Sequence, residues 1–172
     1  AQKIGRNIIP IVEKYTELGL ILEYARKVGV RPQIGMRVKL AARGGGRWQS
    51  SGGYRSKFGL TVAEVRQGLE ELKSYGMQDC FKLLHFHLGS QIPNIRILKG
   101  ALNEAARIYA GLVKEGAGLE YIDVGGGLGI TYTDEQPPAA DELVRAMLER
   151  IDSRGHGDKE VLLEPGRSLV GN

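Results

Sequence analysis

The chain has 172 residues, of which 42% are apolar and 26% are charged, a length and composition typical of one soluble globular domain. Its net charge is +4, but no run of lysine and arginine is interleaved with aromatic residues, so we expect no nucleic-acid partner. The single cysteine, Cys80, excludes an internal disulfide and a multi-cysteine zinc site and fits a cytoplasmic location. No apolar run of about 18 residues and no signal-peptide pattern occurs, so we expect no membrane partner.

Apolar segments with β-strand character alternate along the chain with segments of helical periodicity. Apolar residues recur at helical spacing across residues 18–28, 62–72, 98–112 and 143–151. Thr61 and Glu64 form a capping-box pattern at the start of the second of these helices. The predicted strands are Asn7–Val12, Gln33–Leu40, Phe81–Leu88, Leu119–Val124 and Val161–Leu163.

Five strands joined by four helices predict an α/β fold with parallel strands and right-handed crossovers. Such a pattern suits either an open doubly wound sheet or a (β/α)8 TIM barrel. The barrel is favoured because polar motifs follow three consecutive strands at their carboxyl ends, where barrel enzymes build their sites. The sixth position counted from Gly125 is Ile130, so the glycine run also lacks the G-x-G-x-x-G spacing of a dinucleotide-binding fold. Since a complete barrel has eight strands, we expect residues 1–172 to form one partial barrel domain without the first barrel strands.

One connection between a strand and the next helix is unusually long. Residues 43–57 read Arg-Gly-Gly-Gly-Arg-Trp-Gln-Ser-Ser-Gly-Gly-Tyr-Arg-Ser-Lys. Loops of this length are usually functional or disordered. Because this loop follows the carboxyl end of a strand, we expect it on the same face as the polar motifs.

The segment Tyr121-Ile-Asp-Val-Gly-Gly-Gly-Leu-Gly129 places a run of glycines directly after a strand. Such a run lets the backbone approach a ligand closely and present only N–H groups, which suits a phosphate at Gly125, Gly126 and Gly127. The alternative is a tight turn that packs a helix against its strand.

His85 and His87 are two residues apart on a predicted strand, so they face the same side of the sheet. They could be core residues or metal ligands, but no carboxylate cluster accompanies them in the sequence, and we expect no metal site. His87 could instead stack on a flat aromatic cofactor, and Ser90 could bind a phosphate oxygen.

Glu164 ends an apolar strand, where a carboxylate is costly unless it meets a cation. Either it forms an ion pair with a neighbouring basic residue, or it holds the N–H of a heterocycle in its protonated state. Arg167, three residues later, could bind a phosphate with two hydrogen bonds. A phosphate joined to a flat ring with a basic nitrogen has the outline of pyridoxal 5′-phosphate (PLP).

Three motifs in this order on successive strands resemble those of the fold-type III, alanine-racemase-like, PLP-dependent decarboxylases: His87-Leu-Gly-Ser90, Asp123-Val-Gly-Gly-Gly127 and Glu164-Pro-Gly-Arg167. The resemblance covers essentially the whole chain. The segments 48–53 and 56–59, Trp-Gln-Ser-Ser-Gly-Gly and Ser-Lys-Phe-Gly, are similar to the branch that acts on arginine. The segments 131–135 and 163–172 are more similar to the branch that acts on diaminopimelate.

The resemblance implies roles for individual residues. His87 would stack on the pyridine ring and Glu164 would pair with the ring nitrogen, which makes these two the catalytic candidates. Gly125, Gly126 and Gly127 would hold the phosphate together with Ser90 and Arg167. PLP is the implied cofactor, and Mg²⁺ is a further possibility that rests on the resemblance alone. The lysine that binds PLP covalently lies on the first barrel strand of this family, so we expect it outside the chain, as we do the family's C-terminal β domain.

The implied activity is decarboxylation of a basic amino acid, foremost of L-arginine to agmatine and CO2, a step of polyamine and spermidine biosynthesis. The implied assembly is a cytoplasmic homo-oligomer such as a dimer that binds a small-molecule amino acid. Two alternatives stay open: diaminopimelate decarboxylation in lysine biosynthesis, and a non-catalytic half-barrel that binds PLP or phosphate.

Overall fold

A parallel sheet forms the centre of the structure, with its strands in the order in which they occur in the chain. The computed structural model describes residues 1–41, 56–87, 89, 95–127, 140–153, 155–166 and 169. The strands are β1 (Ile11–Val12), β2 (Ile34–Arg37), β3 (Phe81–His85), β4 (Tyr121–Asp123) and β5 (Glu160–Leu162). The α-helices between them are α1 (Tyr15–Val28), α2 (Val62–Ser74), α3 (Ile95–Lys114) and α4 (Ala140–Asp152), and short 3-10 helices span Gln2–Ile4 and Gln78–Cys80.

The strand register assigns each side chain to one of two faces of the sheet. One row across the five strands faces the helices: the Met36 side chain lies beside Gly68 of α2. This row consists of Val12, Met36, Leu84, Ile122 and Val161. Because neighbouring residues of a strand point to opposite faces, Arg37, His85 and Asp123 point away from the helices.

Each helix packs against the next one: α1 against α2, α2 against α3, and α3 against α4. The helices therefore cover the same face of the sheet, whereas a doubly wound sheet distributes its helices over both faces. Sequential strand order with one helix layer is the arrangement of consecutive units in a (β/α)8 barrel. The prediction of a partial barrel is confirmed.

The hydrophobic core lies between the sheet and the helix layer. Its largest side chains are less than 2% exposed and come from strands and helices alike, among them Phe81, Leu84, Leu69, Leu102 and Tyr109. The core residues recur at the spacing that places them on one face of their helix or strand. Burying these apolar faces against each other holds the helix layer on the sheet.

The starts and ends of the helices follow local sequence signals. At the start of α2, the Glu64 carboxylate accepts from the Thr61 N–H (2.7 Å) and the Thr61 hydroxyl accepts from the Glu64 N–H (3.2 Å), so the predicted capping box is confirmed. Glu17 caps α1 in a similar way, since its carboxylate accepts from the N–H groups of Glu13 (2.8 Å) and Lys14 (3.0 Å). The α1 helix ends at Gly29, whose φ of 69° is left-handed.

The predicted strands and helices are all present, but the first four strands are shorter than expected and the fifth is shifted by one residue. The first strand begins at Ile11 rather than Asn7, and Pro10 just before it has no N–H to donate to a neighbouring strand. Of the long loop, residues 43–55 lie outside the described residues. Among the described helices, none combines the length and apolar character of a membrane span.

Candidate functional site

A row of polar side chains crosses the carboxyl ends of four strands, on the sheet face opposite the helices. Arg37, His85 and Asp123 are register partners on β2, β3 and β4. Glu13 directly follows β1 and forms an ion pair with Arg37 through Oε1 and Nη1. We call these four residues the polar row. It lies where barrel folds place their functional sites.

Gly125, Gly126 and Gly127 form a turn after β4, called the glycine turn below. Asp123 of the polar row holds this turn in place. Asp123 accepts a hydrogen bond at Oδ1 from the Gly125 N–H (2.9 Å), in a buried position. The φ of Gly125 is 70°, and a Cβ there would lie 2.6 Å from His87 Nδ1 and 2.8 Å from the Phe86 carbonyl oxygen. Only glycine satisfies both the left-handed backbone and the close approach to β3.

The next glycine brings the turn against the end of β5. A Cβ on Gly126 would overlap the carbonyl oxygen of Glu164. The Glu164 N–H in turn donates to the Gly125 carbonyl (2.9 Å). The turn is thus fixed to the chain on both sides, by His87 on one and by Glu164 on the other.

The N–H groups of the glycine turn are not equivalent. The Gly125 N–H is used by Asp123, and the Gly126 N–H makes a long contact of 3.4 Å with His87 Nδ1. The Gly127 N–H donates to none of the residues that the structure describes. An anion at this turn would therefore be bound by the N–H groups of Gly126 and Gly127. Gly125 has no side chain, which lets the turn lie close to His87.

His87 and Glu164 face each other across the turn. His87 Nδ1 lies 3.6 Å from Glu164 Oε2, and the side chains are 32% and 54% exposed, respectively. Burial lowers the pKa of His87, the Arg37 charge lowers it further, and Glu164 opposes both effects. Burial and the Arg37 charge thus favour the uncharged imidazole in its contact with Glu164.

His85 lies beneath this pair in the polar row and is 5% exposed. Its Nδ1 is 3.1 Å from Asp123 Oδ2, but the two groups are not aligned as a hydrogen bond. The planes of the His85 and His87 rings are inclined by 53°, with 6.3 Å between the ring centroids.

The two histidines are accompanied by a carboxylate after all. His85, His87 and Glu164 place potential ligand atoms within 4.8 Å of one another. The expectation that no such cluster exists is wrong, because Glu164 reaches the histidines from β5 through strand pairing that the sequence does not display. Two imidazoles and one carboxylate suit a transition metal better than Mg²⁺, which prefers oxygen ligands.

Two charged residues of the polar row, Glu13 and Arg37, were not among the predicted site residues. A signal was present, because each is a charged residue at the end of an apolar strand, the same pattern that singled out Glu164. The Arg37 guanidinium carbon lies 5.2 Å from the centroid of the Phe58 ring, and Lys57 Nζ lies 5.2 Å from the same centroid. Lys57 and Phe58, which belong to the segment Ser-Lys-Phe-Gly of residues 56–59, thus lie beside the polar row.

The remaining residues of interest lie outside the described residues or away from the site. Ser90 and Arg167 are outside the part of the chain that the structure describes. Cys80 precedes β3 at the opposite end of the strand, is 4% exposed, and has a thiol whose pKa is raised by burial. It is therefore not a site residue.

The described residues fit PLP on three grounds. The turn offers N–H groups for a phosphate where side chains are sterically excluded. The flat imidazole ring of His87 lies beside the turn, where a pyridine could stack on it. The half-exposed carboxylate of Glu164 has no lysine or arginine partner among the described residues and is open to a protonated ring nitrogen.

Comparison with known proteins points to one family. A sequence model described as "Pyridoxal-dependent decarboxylase, pyridoxal binding domain" matches residues 3–171. The biosynthetic arginine decarboxylase of Rhodopirellula baltica is 52% identical, over 99% of this chain and 27% of its own length. That of Phocaeicola vulgatus is 41% identical, over 99% of this chain and 29% of its own length.

Solved structures agree with this result. The biosynthetic arginine decarboxylase of Campylobacter jejuni superposes with a TM-score of 0.82 at 32% identity, covering 99% of this chain and 29% of that one. The diaminopimelate decarboxylase of Helicobacter pylori complexed with L-lysine gives a TM-score of 0.83 at 27% identity, covering 94% and 40%. The chain spans less than a third of the length of the two curated relatives named here. It belongs to the pyridoxal-binding domain family of the pyridoxal-dependent decarboxylases.

Proposed function

We propose that the chain forms the PLP-binding part of an arginine decarboxylase, in which the glycine turn, His87 and Glu164 hold the cofactor. The observation that carries the proposal is that an imidazole, an amide-lined turn and a carboxylate with no lysine or arginine partner among the described residues meet at one edge of the sheet. When bound, PLP supplies an electron sink that accepts the electrons of the bond between the substrate's α-carbon and its carboxylate.

Each residue of the proposed site has a defined task. The Gly126 and Gly127 N–H groups would bind the phosphate, and Ser90 and Arg167 would add to them. Glu164 would keep the proton on the ring nitrogen, because an adjacent anion favours the charged form of that nitrogen. His87 would pack its neutral ring against the cofactor and exclude water from one side.

Arginine is the favoured substrate because both curated relatives named above, which are 52% and 41% identical to the chain, are biosynthetic arginine decarboxylases. Agmatine and CO2 would be the products, which supports a place in polyamine biosynthesis. Diaminopimelate is the second candidate, since the Helicobacter pylori enzyme superposes as well as the arginine enzyme does.

The experiment first titrates the purified chain with PLP and follows the visible absorbance of the bound cofactor. We expect Glu164→Gln to weaken binding at least about tenfold, equivalent to about 1.4 kcal/mol. Glu160→Gln is the matched control, because Glu160 is an exposed glutamate at the opposite end of β5, and it should leave affinity unchanged. Equal affinities for both variants would contradict the role of Glu164.

The substrate is tested in the longer protein that contains this chain. Separate incubations with L-arginine and meso-diaminopimelate, with CO2 release as the readout, distinguish the two decarboxylases. PLP binding without CO2 release from either amino acid would instead support a non-catalytic binding domain.

We further propose that residues 1–172 are a partial barrel domain that works within a cytoplasmic homo-oligomer. The partial coverage of its relatives supports the partial domain, and the single cysteine of the chain, which is buried, fits a cytoplasmic location. Light scattering of the purified longer protein tests the assembly.

A further inference from the structure

The buried imidazole of His85 has no part in the proposed mechanism, although it lies directly below the site. It is 5% exposed and stands in register between Arg37 and Asp123. A buried polar group without a hydrogen bond is costly, and an apolar residue would fill the same space without that cost. The presence of histidine here therefore calls for a partner.

The available partner is Asp123. His85 Nδ1 lies 3.1 Å from Asp123 Oδ2, which is already hydrogen-bond distance, so a rotation of the carboxylate or the ring suffices to align the two groups. Among the described residues no other group accepts from this nitrogen. The carboxylate can make both contacts at once, because its other oxygen, Oδ1, is the one that accepts from the Gly125 N–H.

Asp123 links His85 to the groups that are proposed to bind the cofactor. Its hydrogen bond fixes Gly125, whose position against His87 leaves no room for a side chain. The following Gly126 N–H faces His87 Nδ1 at 3.4 Å. His85, Asp123, the glycine turn and His87 thus form one chain of contacts that begins beneath the site and ends at the ring expected to stack on PLP.

We propose that His85 is a positioning residue: it donates from Nδ1 to Asp123 and so holds the glycine turn and the His87 ring in the geometry that binds the cofactor. This inference rests on the proposed PLP site. In this proposal His85 acts on the cofactor site through Asp123 rather than by direct contact.

Two variants separate positioning from packing. In His85→Asn the side-chain N–H₂ stands at the same number of bonds from the backbone as Nδ1 and can donate to Asp123. In His85→Leu the site stays filled but the donor is lost. We expect His85→Asn to retain most of the wild-type behaviour and His85→Leu to lose it.

The first readout needs no cofactor. Amide hydrogen exchange in the cofactor-free chain should be at least about tenfold faster at Gly125 in His85→Leu than in wild type, corresponding to about 1.4 kcal/mol. Gly116, whose N–H donates to Val113 at the end of α3, is the internal control and should exchange equally in all variants. The second readout is the dissociation constant for PLP, expected to rise at least about tenfold in His85→Leu and less than about threefold in His85→Asn.

The outcomes distinguish this inference from the proposed function. If wild type binds PLP and His85→Leu matches it in both readouts, or if the two variants behave alike, the positioning role is refuted. If wild type does not bind PLP, the proposed function fails, while Gly125 exchange still tests the contact. Should His85→Leu not fold, the ¹⁵N shifts of His85 in the wild-type chain decide: a proton on Nδ1 is expected, and an unprotonated Nδ1 would overturn the proposal.

Discussion

A side-chain carbon on Gly126 would overlap the carbonyl oxygen of Glu164, so the turn after β4 and the end of β5 touch backbone to backbone. The contact places the carboxylate that ends β5 beside the glycine turn. It also makes the relative position of Glu164 and His87 a property of two backbones rather than of flexible side chains.

Substitution of Gly126 by alanine should disrupt this contact. The added methyl group forces the turn away from Glu164, and overpacking of this kind costs about 1–3 kcal/mol of the free energy of unfolding. Gly100→Ala is the matched control, because Gly100 lies in α3 with nothing within 4 Å of an added Cβ. It should stabilise the protein by about 0.5–1 kcal/mol, as alanine favours a helix. Denaturant unfolding measures both, and a loss in Gly100→Ala equal to that in Gly126→Ala would contradict the steric argument.

The pKa of His87 should respond to its two charged neighbours with opposite signs. Burial is the largest cause of its lowering, Arg37 adds to it and Glu164 opposes it. Glu164→Gln should therefore lower this pKa further, and Arg37→Gln should raise it. NMR titration of the imidazole checks both shifts. Shifts of the same sign in the two variants would rule out this electrostatic account.

The lowered pKa of His87 also predicts how stability depends on pH. The unfolded chain takes up a proton near the ordinary value of 6.5, while the folded chain takes it up only at lower pH. Between the two values the unfolded state binds more protons, so the free energy of unfolding falls as pH drops below 6.5. The contribution is fully present above that value. In His87→Asn this part of the pH dependence should flatten, and an unchanged profile would show that other groups cause it.

The capping box of α2 should contribute measurably to stability. Thr61→Ala removes the hydroxyl that accepts from the Glu64 N–H and should cost about 1 kcal/mol. Thr61→Ser keeps an oxygen in the same place and should retain most of that amount. Urea unfolding of the three proteins tests the cap, and equal losses in both variants would show that the methyl group rather than the hydroxyl matters.

The hydroxyl of Tyr109 is predicted to be dispensable. Tyr109 is 1% exposed, and its hydroxyl has no hydrogen-bond partner among the described residues. Tyr109→Phe should therefore raise the free energy of unfolding by about 1 kcal/mol, since the desolvation cost of the hydroxyl disappears. Tyr75→Phe is the exposed control and should change it by less than about 0.5 kcal/mol. A marked loss in Tyr109→Phe would reveal a bound water or another acceptor at the hydroxyl.

Local patterns were sufficient to predict the elements of the fold. The Thr61–Glu64 pair located the start of α2 to the residue, because a capping box depends on two positions that are three apart in the chain. Strand ends were predicted less well, since pairing with a neighbour decides where a strand stops. Pro10 limits β1 in this way.

The composition of the site was only partly predictable for the same reason. His87, the glycine turn and Glu164 were identified because each is a distinctive residue or run of residues at the carboxyl end of an apolar strand. The approach of Glu164 to both histidines and the pairing of Glu13 with Arg37 depend on the register between strands. Register is a property of the assembled sheet, so no single segment could indicate these contacts.

The glycine turn presents main-chain N–H groups, which every amino acid carries alike. Under the proposed function it would bind the phosphate in the same way whatever the substrate. Discrimination between arginine and diaminopimelate would then arise from side chains elsewhere. The shared backbone is accordingly no guide to the substrate, since an arginine decarboxylase and a diaminopimelate decarboxylase superpose on the chain with TM-scores of 0.82 and 0.83.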